Sequence, residues 1–415
     1  MTQDVYLRKD CRMCCSAHLK KVMELTPTPP GNNFIKKLPV EEPEISFPLD
    51  LYFCNDCYHL QLGHVVSPKI LYQTDYTYLT ATSAYFVKHL TKYAESMVKK
   101  FSLSQGMKVA DIGSNDGTCL QQFKNLGLDV IGVDPAKSIA IEATKNGIET
   151  VPDFFSYSLA LDLREKHGLV DFITSHNACA HIDQLDDVFK GVSYWLNDNG
   201  IFVLEVGYFV DVYTQLYFDT IYHEHCDFHT VAPFVKIFER TGLELIAVER
   251  IEPQGGSIRV MAQKKGGLYK VESSVAEMIN LEMDLKFNLA ETFSDFADRI
   301  NDIGNRLKAI IIGLKEKGCS IAAYGAPTKA TTLLNKFDIG HEYIDFIVED
   351  NLLKQGLFTP LSHIPIKPTD EIYNKKPDYV LIFAWNFAEP IMKMHNKYLE
   401  NGGHFILPLP EPKII

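Results

Sequence analysis

The chain has 415 residues, enough for two or three domains of ordinary size. It is 46% hydrophobic and 23% charged, which excludes wholesale disorder, and its formal charge of −12 excludes general binding to nucleic acid or an anionic membrane. No apolar run approaches the ~20 residues that span a bilayer. Met1-Thr2-Gln3-Asp4 lacks the basic-then-apolar pattern of a signal peptide, so a cytoplasmic chain with mostly reduced thiols is expected.

Cys11, Cys14, Cys15, Cys54 and Cys57 lie at the start of the chain, with Pro27, Pro29, Pro30, Pro39, Pro43 and Pro48 between them. A small, loop-rich unit with little core is expected there, one that needs a staple. Cys11-x-x-Cys14 and Cys54-x-x-Cys57 share one spacing, and each sets two thiolates on a tight turn. Together they make a tetrahedral four-sulfur site, which points to zinc. Four thiolates leave no open position, so the zinc is expected to be structural. Buried or redox-active cysteine turns are a competing reading. Iron in a binding or electron-transfer module is another, distinguished by colour. Cys15 is expected to be a bystander, and His59 and His64 to be packed or exposed.

From about residue 84 the pattern changes. A helical stretch, Ala84 to Lys100, precedes apolar runs at 107–112, 130–133, 172–175 and 201–204, with helical segments between them. This is the signature of βαβ units around a parallel sheet. Strands near Leu245–Ile251 and Ser257–Lys264, joined by a short turn, predict an antiparallel edge. A long helical region follows, from about 276 to 317. Alternation restarts at Ser320–Gly325, with strands at Ile344–Val348, Tyr379–Phe383 and His404–Leu407, which predicts a second, smaller α/β domain.

The first strand of the main domain runs into Asp111-Ile112-Gly113-Ser114-Asn115-Asp116-Gly117. This glycine turn has neither G-x-G-x-x-G spacing nor a P-loop lysine. The next strand ends in Asp134, placed to bind ribose hydroxyls. A nucleoside suits these features better than a dinucleotide. With Gly132-Val133-Asp134, they resemble the motifs of class I S-adenosylmethionine-dependent methyltransferases. The resemblance implies that Asp111, Gly113, Asn115 and Gly117 lie along the methionine part and that Asp134 holds the ribose. Phe154 would sit by the adenine and Asn177 would face the cofactor. A nicotinamide-dependent oxidoreductase is the competing reading, and the missing G-x-G-x-x-G counts against it.

Tyr222-His223-Glu224-His225 gathers titratable side chains after the fifth strand, at the sheet end where open α/β folds keep ligands. The spacing is not H-E-x-x-H, so no second metal is expected. A capped helix start or a solvated polar face is the competing reading. These residues join the cysteine turns, Asp75-Tyr76-Thr77-Tyr78, Gly255-Gly256-Ser257-Ile258-Arg259 and Tyr324-Gly325-Ala326-Pro327-Thr328-Lys329. Taken together, the chain resembles the sugar C-methyltransferases of deoxysugar biosynthesis over nearly its whole length.

The resemblance implies an α/β fold: a class I methyltransferase Rossmann-like domain with a small four-cysteine zinc domain before it and a second Rossmann-like domain after it. The implied domains are 1–75, 76–290 and 291–415. The implied reaction is methylation at C-3 of a dTDP-linked 4-keto-6-deoxysugar, with C-5 as the alternative within the family. His225 would be the base. Tyr222 and Tyr76 would bind or polarise the C-4 oxygen, Glu224 would orient His225 or a sugar hydroxyl, and His181 is a secondary candidate in the same pocket. Gly256, Ser257, Arg259, Tyr324, Gly325, Lys329 and Glu349 would contact the sugar nucleotide. The implied partners are S-adenosylmethionine, structural zinc and a nucleotide-linked keto-deoxysugar. No nucleic-acid or membrane partner is expected, and the chain is read as a monomer. The chemistry suits the residues: a ketone acidifies the neighbouring C–H, and histidine supplies a base of near-neutral pKa to make the enolate.

Overall fold

A computed structural model describes residues 5–40, 43–72 and 79–415. The near-continuous apolar run at 201–206 becomes part of a strand buried on both faces, as expected where helices cover both sides of a sheet. That sheet has seven strands. Their spatial order is Leu243–Ile251, Ser257–Lys264, Leu196–Gly207, Val170–His176, Lys108–Ile112, Asp129–Val133 and Thr150–Val151. Ser257–Lys264 runs antiparallel to both its neighbours, and the strands from Leu196–Gly207 to Thr150–Val151 pair in parallel. This is the class I methyltransferase fold. The strand order reverses between Lys108–Ile112 and Val170–His176, and the carboxyl ends of these two strands are where such sheets keep their ligands.

The helix Ala84–Lys100 forms where expected. Its N-cap Ser83 accepts a bond from the Phe86 N–H, and one face buries Phe86, Leu90, Tyr93, Ala94 and Met97. Tyr93 is fixed through its hydroxyl, 2.6 Å from Thr174 Oγ1. The helical region that follows the main sheet is two helices, Ser273–Asp284 and Ala290–Glu316. Lys286, in the left-handed region at φ 61, turns the chain between them.

The N-terminal unit has more regular structure than its prolines suggest. Leu19–Thr28, Phe47–Cys54 and Leu60–Leu62 form an antiparallel sheet. Phe47, Leu49, Leu51 and Phe53 point inward at every second position. A fourth strand, Asp227–Phe228, comes from the centre of the chain and pairs with Leu60 and Gln61. The unit therefore grips the segment that carries Tyr222–His225.

The second α/β sheet runs Ile366–Pro368, Phe346–Glu349, Ile321–Tyr324, Tyr379–Ile382, His404–Leu407 and Lys413–Ile414. All are parallel except the last. Its order reverses between Ile321–Tyr324 and Tyr379–Ile382. One core runs through the molecule: Phe53 of the N-terminal unit packs 5.2 Å from Phe293, and Phe209 lies 5.8 Å from Phe296, centroid to centroid. Among the described residues, no helix is long and apolar enough to cross a membrane.

Candidate active site

The cysteine turns converge. The sulfurs of Cys11, Cys14, Cys54 and Cys57 all lie within 4.8 Å of one another, with Cys11–Cys57 and Cys14–Cys54 at 3.5 Å. Tetrahedral zinc with Zn–S bonds of ~2.3 Å needs sulfurs spaced in this way. Each turn ends on a left-handed residue, Cys15 at φ 59 and Tyr58 at φ 68. The four thiolates fit a structural zinc and leave no open position. Cys15 stands outside, taking a bond from Arg240 Nη2 at 3.0 Å. His59 is buried, its Nε2 donating to Asp227 Oδ1 at 2.6 Å. Arg12, between two of the metal ligands, is 1% exposed and donates from Nε to Asp183 Oδ1 at 3.0 Å.

The turn after Lys108–Ile112 packs closely on the segment that follows the fourth strand. Gly113 has φ 78, and a Cβ there would sit 2.6 Å from the Ala178 Cβ. Asp134 accepts from the N–H groups of Asn115 and Ala136, each at 2.8 Å, which fixes its carboxylate at the rim. Asp111 is 2% exposed, and its Oδ1 and the Ser114 Oγ are buried without a partner among the described residues. Burial, and then the charge of Asp134, push the Asp111 carboxyl well above the usual range. A cationic group brought alongside would relieve both conditions, which fits the ammonium and sulfonium of S-adenosylmethionine. Asn115 accepts from the Thr80 N–H at 2.9 Å and the Thr80 hydroxyl at 3.1 Å, so the segment after residue 78 clamps the turn. Gly117, at φ 77, packs on Ile148. Asn177, at φ 54, donates its backbone N–H to Glu205 O. Phe154 is 56% exposed beyond the third strand.

The segment 218–226 is irregular, and its backbone is held from several sides. Phe218–Thr220 forms a short 3₁₀ turn. The Cys226 N–H donates to Ala180 O at 2.7 Å, and Leu62 N–H donates to Cys226 O at 2.9 Å. His225 Nδ1 donates to Thr220 O at 2.7 Å, which leaves a lone pair on Nε2, and the Tyr222 hydroxyl donates to it at 2.9 Å. The ring of His181 lies 4.9 Å from that of His225, edge to face. Burial lowers His225 to about 4; burial and the neighbouring His225 lower His181 to about 3. Burial raises Glu224 to about 7, opposed by a hydrogen bond from Asn32 and by the charge of Lys354. His223 points the other way, onto Phe47 O. His181, Tyr222, Glu224 and His225 are thus brought together. Tyr76 lies outside the described residues.

The second crevice lies in the C-terminal sheet. Gly325, at φ 86, faces Ala384. Glu349 accepts from the N–H of Ala326 at 2.7 Å and of Asn351 at 2.9 Å. Tyr324 donates its hydroxyl to Asp350 at 2.7 Å. Lys329 Nζ sits 3.4 Å over the Trp385 ring and donates to Asn386 Oδ1. Tyr217 stacks on Trp385 at 3.7 Å, and Trp385 Nε1 donates to Asp219 Oδ2. Gly255 abuts Tyr217 and Trp385, and Gly256 leaves no room for a Cβ against Asp211, so this turn joins the cluster. The buried Ser257 gives its hydroxyl to Pro253 O. Arg259 is drawn elsewhere: its guanidinium bonds Glu205 and Glu249, at 2.8 and 2.7 Å, above Tyr93. Trp385, one of two tryptophans, is the residue that motif reading passed over; its rarity was the available signal.

Residues 11–72 match a zinc binding domain model, 86–248 a methyltransferase domain, and 252–410 the C-methyltransferase C-terminal domain. The chain is 34% identical over 406 residues to the C-methyltransferase NovU of Streptomyces niveus, covering 98% of this chain and 96% of that protein. The chain belongs to the C-methyltransferase family. It is an S-adenosylmethionine-dependent C-methyltransferase with a four-cysteine zinc domain. Among solved structures, it is similar to magnesium protoporphyrin IX methyltransferase of Synechocystis (13% identity, 43% of this chain and 83% of that one, TM-score 0.34). It is also similar to the cyclopropane synthase MmaA2 of Mycobacterium tuberculosis (14% identity, 42% and 83%, TM-score 0.33).

Proposed function

We propose that this C-methyltransferase acts at C-3 of a dTDP-linked 4-keto-6-deoxysugar, through an enolate made by His225. The observation that carries the reading is the Tyr222–His225 pair. With Nδ1–H held by the Thr220 carbonyl, His225 presents one basic atom, Nε2, and Tyr222 presents an O–H to the same space. A sugar ketone entering there takes the Tyr222 O–H on its C-4 oxygen and leaves Nε2 open to the C-3 hydrogen. The C–H bond breaks, its proton passes to Nε2, and its electrons delocalise onto the C-4 oxygen as an enolate. Burial keeps His225 neutral at working pH, so the lone pair is present in the resting enzyme. At about 4 its pKa lies below the near-neutral range expected from the sequence, so its contribution falls at the low end of the roughly 10²–10⁴-fold typical of a positioned base. Tyr222 then stabilises the oxyanion, and Glu224 orients a sugar hydroxyl or His225. S-adenosylmethionine supplies an electrophilic methyl on sulfonium when bound, and Asp111, Ser114 and Asp134 are the residues proposed to hold it.

Lys329 and the Gly325 turn are proposed to take the nucleotide diphosphate, with Tyr324 and Glu349 beside it and Gly256 and Ser257 at the sugar side. Arg259, already paired with two carboxylates, is left out of that set. The proposed domain limits are 1–75, 76–290 and 291–415.

The test is incubation with the cofactor and a dTDP-4-keto-6-deoxysugar in deuterated water, following mass and ring-proton exchange, with His225→Asn alongside. Gain of one methyl with exchange at C-3, both lost in the variant, is the expected result. Exchange at C-5 would move the reaction to that carbon. Neither exchange nor methylation, in protein that binds the cofactor, would overturn the substrate assignment.

A further inference from the structure

The loop at 29–35 leaves the zinc unit and lies against both other units. The Gly31 backbone is pressed onto the first turn of the helix Thr328–Phe337: a Cβ there would lie 2.5 Å from Thr328 Cγ2 and 2.6 Å from the Thr328 carbonyl oxygen. Thr331 donates its hydroxyl to Gly31 O at 3.1 Å. Next to it, Thr332 donates to Ile221 O at 2.9 Å, at the entrance to the catalytic segment. Ile35 exchanges backbone bonds with Phe358 of the C-terminal domain. Asn32 spans the junction. Its Nδ2 donates to Glu224 Oε1 at 3.1 Å, and its Oδ1 accepts the Thr328 hydroxyl at 2.9 Å. The amide orientation follows from chemistry, since an ionised carboxylate only accepts and the hydroxyl then has an acceptor. Among the described residues, this is the hydrogen bond made to the Glu224 carboxyl.

We infer that Asn32 is a positioning residue of the active site: it holds the Glu224 carboxyl against the sugar and ties it, through Thr328, to the turn that opens the C-terminal crevice. The sugar end and the nucleotide end of one substrate are thereby registered by a side chain of the zinc unit. The inference rests on the role proposed above for Glu224. Other groups also face that carboxyl. Lys354 approaches from the C-terminal domain, where its Nζ donates to Ala326 O at 2.8 Å and it faces Glu349. His181 bonds the Glu224 backbone, and His223 and His225 flank it in sequence. Lys354 gives charge, and Asn32 gives direction.

Asn32 is exposed, so Asn32→Ala opens no core cavity and the fold is expected to persist. The experiment titrates the Glu224 carboxyl by infrared difference spectroscopy, assigned against Glu224→Gln, in wild type, Asn32→Ala, Thr328→Val and the double variant. Turnover of the dTDP-4-keto-6-deoxysugar and zinc content are measured on the same samples. Loss of the Asn32 donor is expected to move the midpoint upward by roughly half to one pH unit and to lower kcat about 10-fold, with cofactor affinity and zinc content unchanged. Thr328→Val is expected to give part of both effects and to add nothing to Asn32→Ala. A midpoint and kcat within twofold of wild type in Asn32→Ala, or additive effects in the double variant, would overturn the inference. Absence of turnover by wild type would strike the proposed reaction alone, since the infrared midpoint still decides whether Asn32 holds the carboxyl.

Discussion

Gly113 and Gly325 occupy the same place in two different sheets. Each follows the first strand of its domain, and each donates its N–H to the last carbonyl region of the next strand, Val133 O and Val348 O, both at 2.8 Å. Each has positive φ and faces an alanine just past the fourth strand, Ala178 or Ala384. In each turn a backbone N–H is taken by an acid from the end of the second strand, Asn115 by Asp134 and Ala326 by Glu349. Both turns carry acids, but the second also carries cations. The first has a buried Asp111, with its Oδ1 unpartnered and no cation against it among the described residues. The second has Lys329 over Trp385 and Lys354 on the Ala326 carbonyl. One backbone design is therefore used twice, and on the function proposed above the side chains beside each glycine set which ligand charge it takes.

Ligand affinity separates the two turns most directly. Asp134→Ala is expected to weaken cofactor binding about 100-fold, the loss of two charge-assisted bonds to ribose hydroxyls, while leaving dTDP binding unchanged. Lys329→Ala is expected to do the reverse, weakening dTDP about 10-fold and sparing the cofactor. Isothermal calorimetry on both variants with both ligands reads the four values. Equal losses of both ligands in either variant would mean that the crevices are not separate in function.

For the Tyr222–His225 segment, proposed as catalytic, the test is pH. Burial holds Glu224 near 7 and His225 near 4. Glu224 is ionised above its pKa, so if its carboxylate orients the substrate, kcat rises as pH passes upward through about 7. Glu224→Gln is expected to flatten that limb and leave the lower one, where His225 becomes protonated as pH falls through about 4. A pH profile of kcat for both proteins checks this, with roughly a 10-fold rise between pH 6 and 8 expected in wild type.

Much of this architecture was legible in the sequence, because strand–helix alternation and the glycine turns are local signals. Helix Ala84–Lys100 and strand His404–Leu407 fall at the residues expected. The cysteine pairs were legible because metal-ligand spacing is local too, although the two pairs meet across a long loop. The sheet of the N-terminal unit was hidden behind prolines, although Phe47, Leu49, Leu51 and Phe53 carry a clear period of two. Its fourth strand, Asp227–Phe228, could not be read, since two residues have no period and their pairing partners lie far back in the chain. Arg259 was placed on the substrate by its motif, whereas the strand alternation turns it toward Glu205 and Tyr93. Asn32 gave no signal, because its function depends on two contacts made only when three units meet.

The smallest effect tests the backbone half of the comparison. Gly113→Ala must place a Cβ 2.6 Å from the Ala178 Cβ at φ 78, which combines a clash with left-handed strain. Gly325→Ala places one 3.2 Å from the Ala384 Cβ at φ 86, where a slight shift suffices and strain is the main cost. Strain alone costs about 1–2 kcal/mol for a non-glycine residue. In a chain of 415 residues that unfolds as one unit, this corresponds to a fall in Tm of roughly 1–2 °C. Gly325→Ala is expected to show that fall alone, and Gly113→Ala a larger one together with weaker cofactor binding. Ala178→Gly added to Gly113→Ala removes the clash and keeps the strain, so it should bring the first variant to the level of the second, as followed by thermal unfolding. If Gly113→Ala stays more damaging with Ala178→Gly in place, the difference between the turns lies in their φ angles and not in the alanines they face.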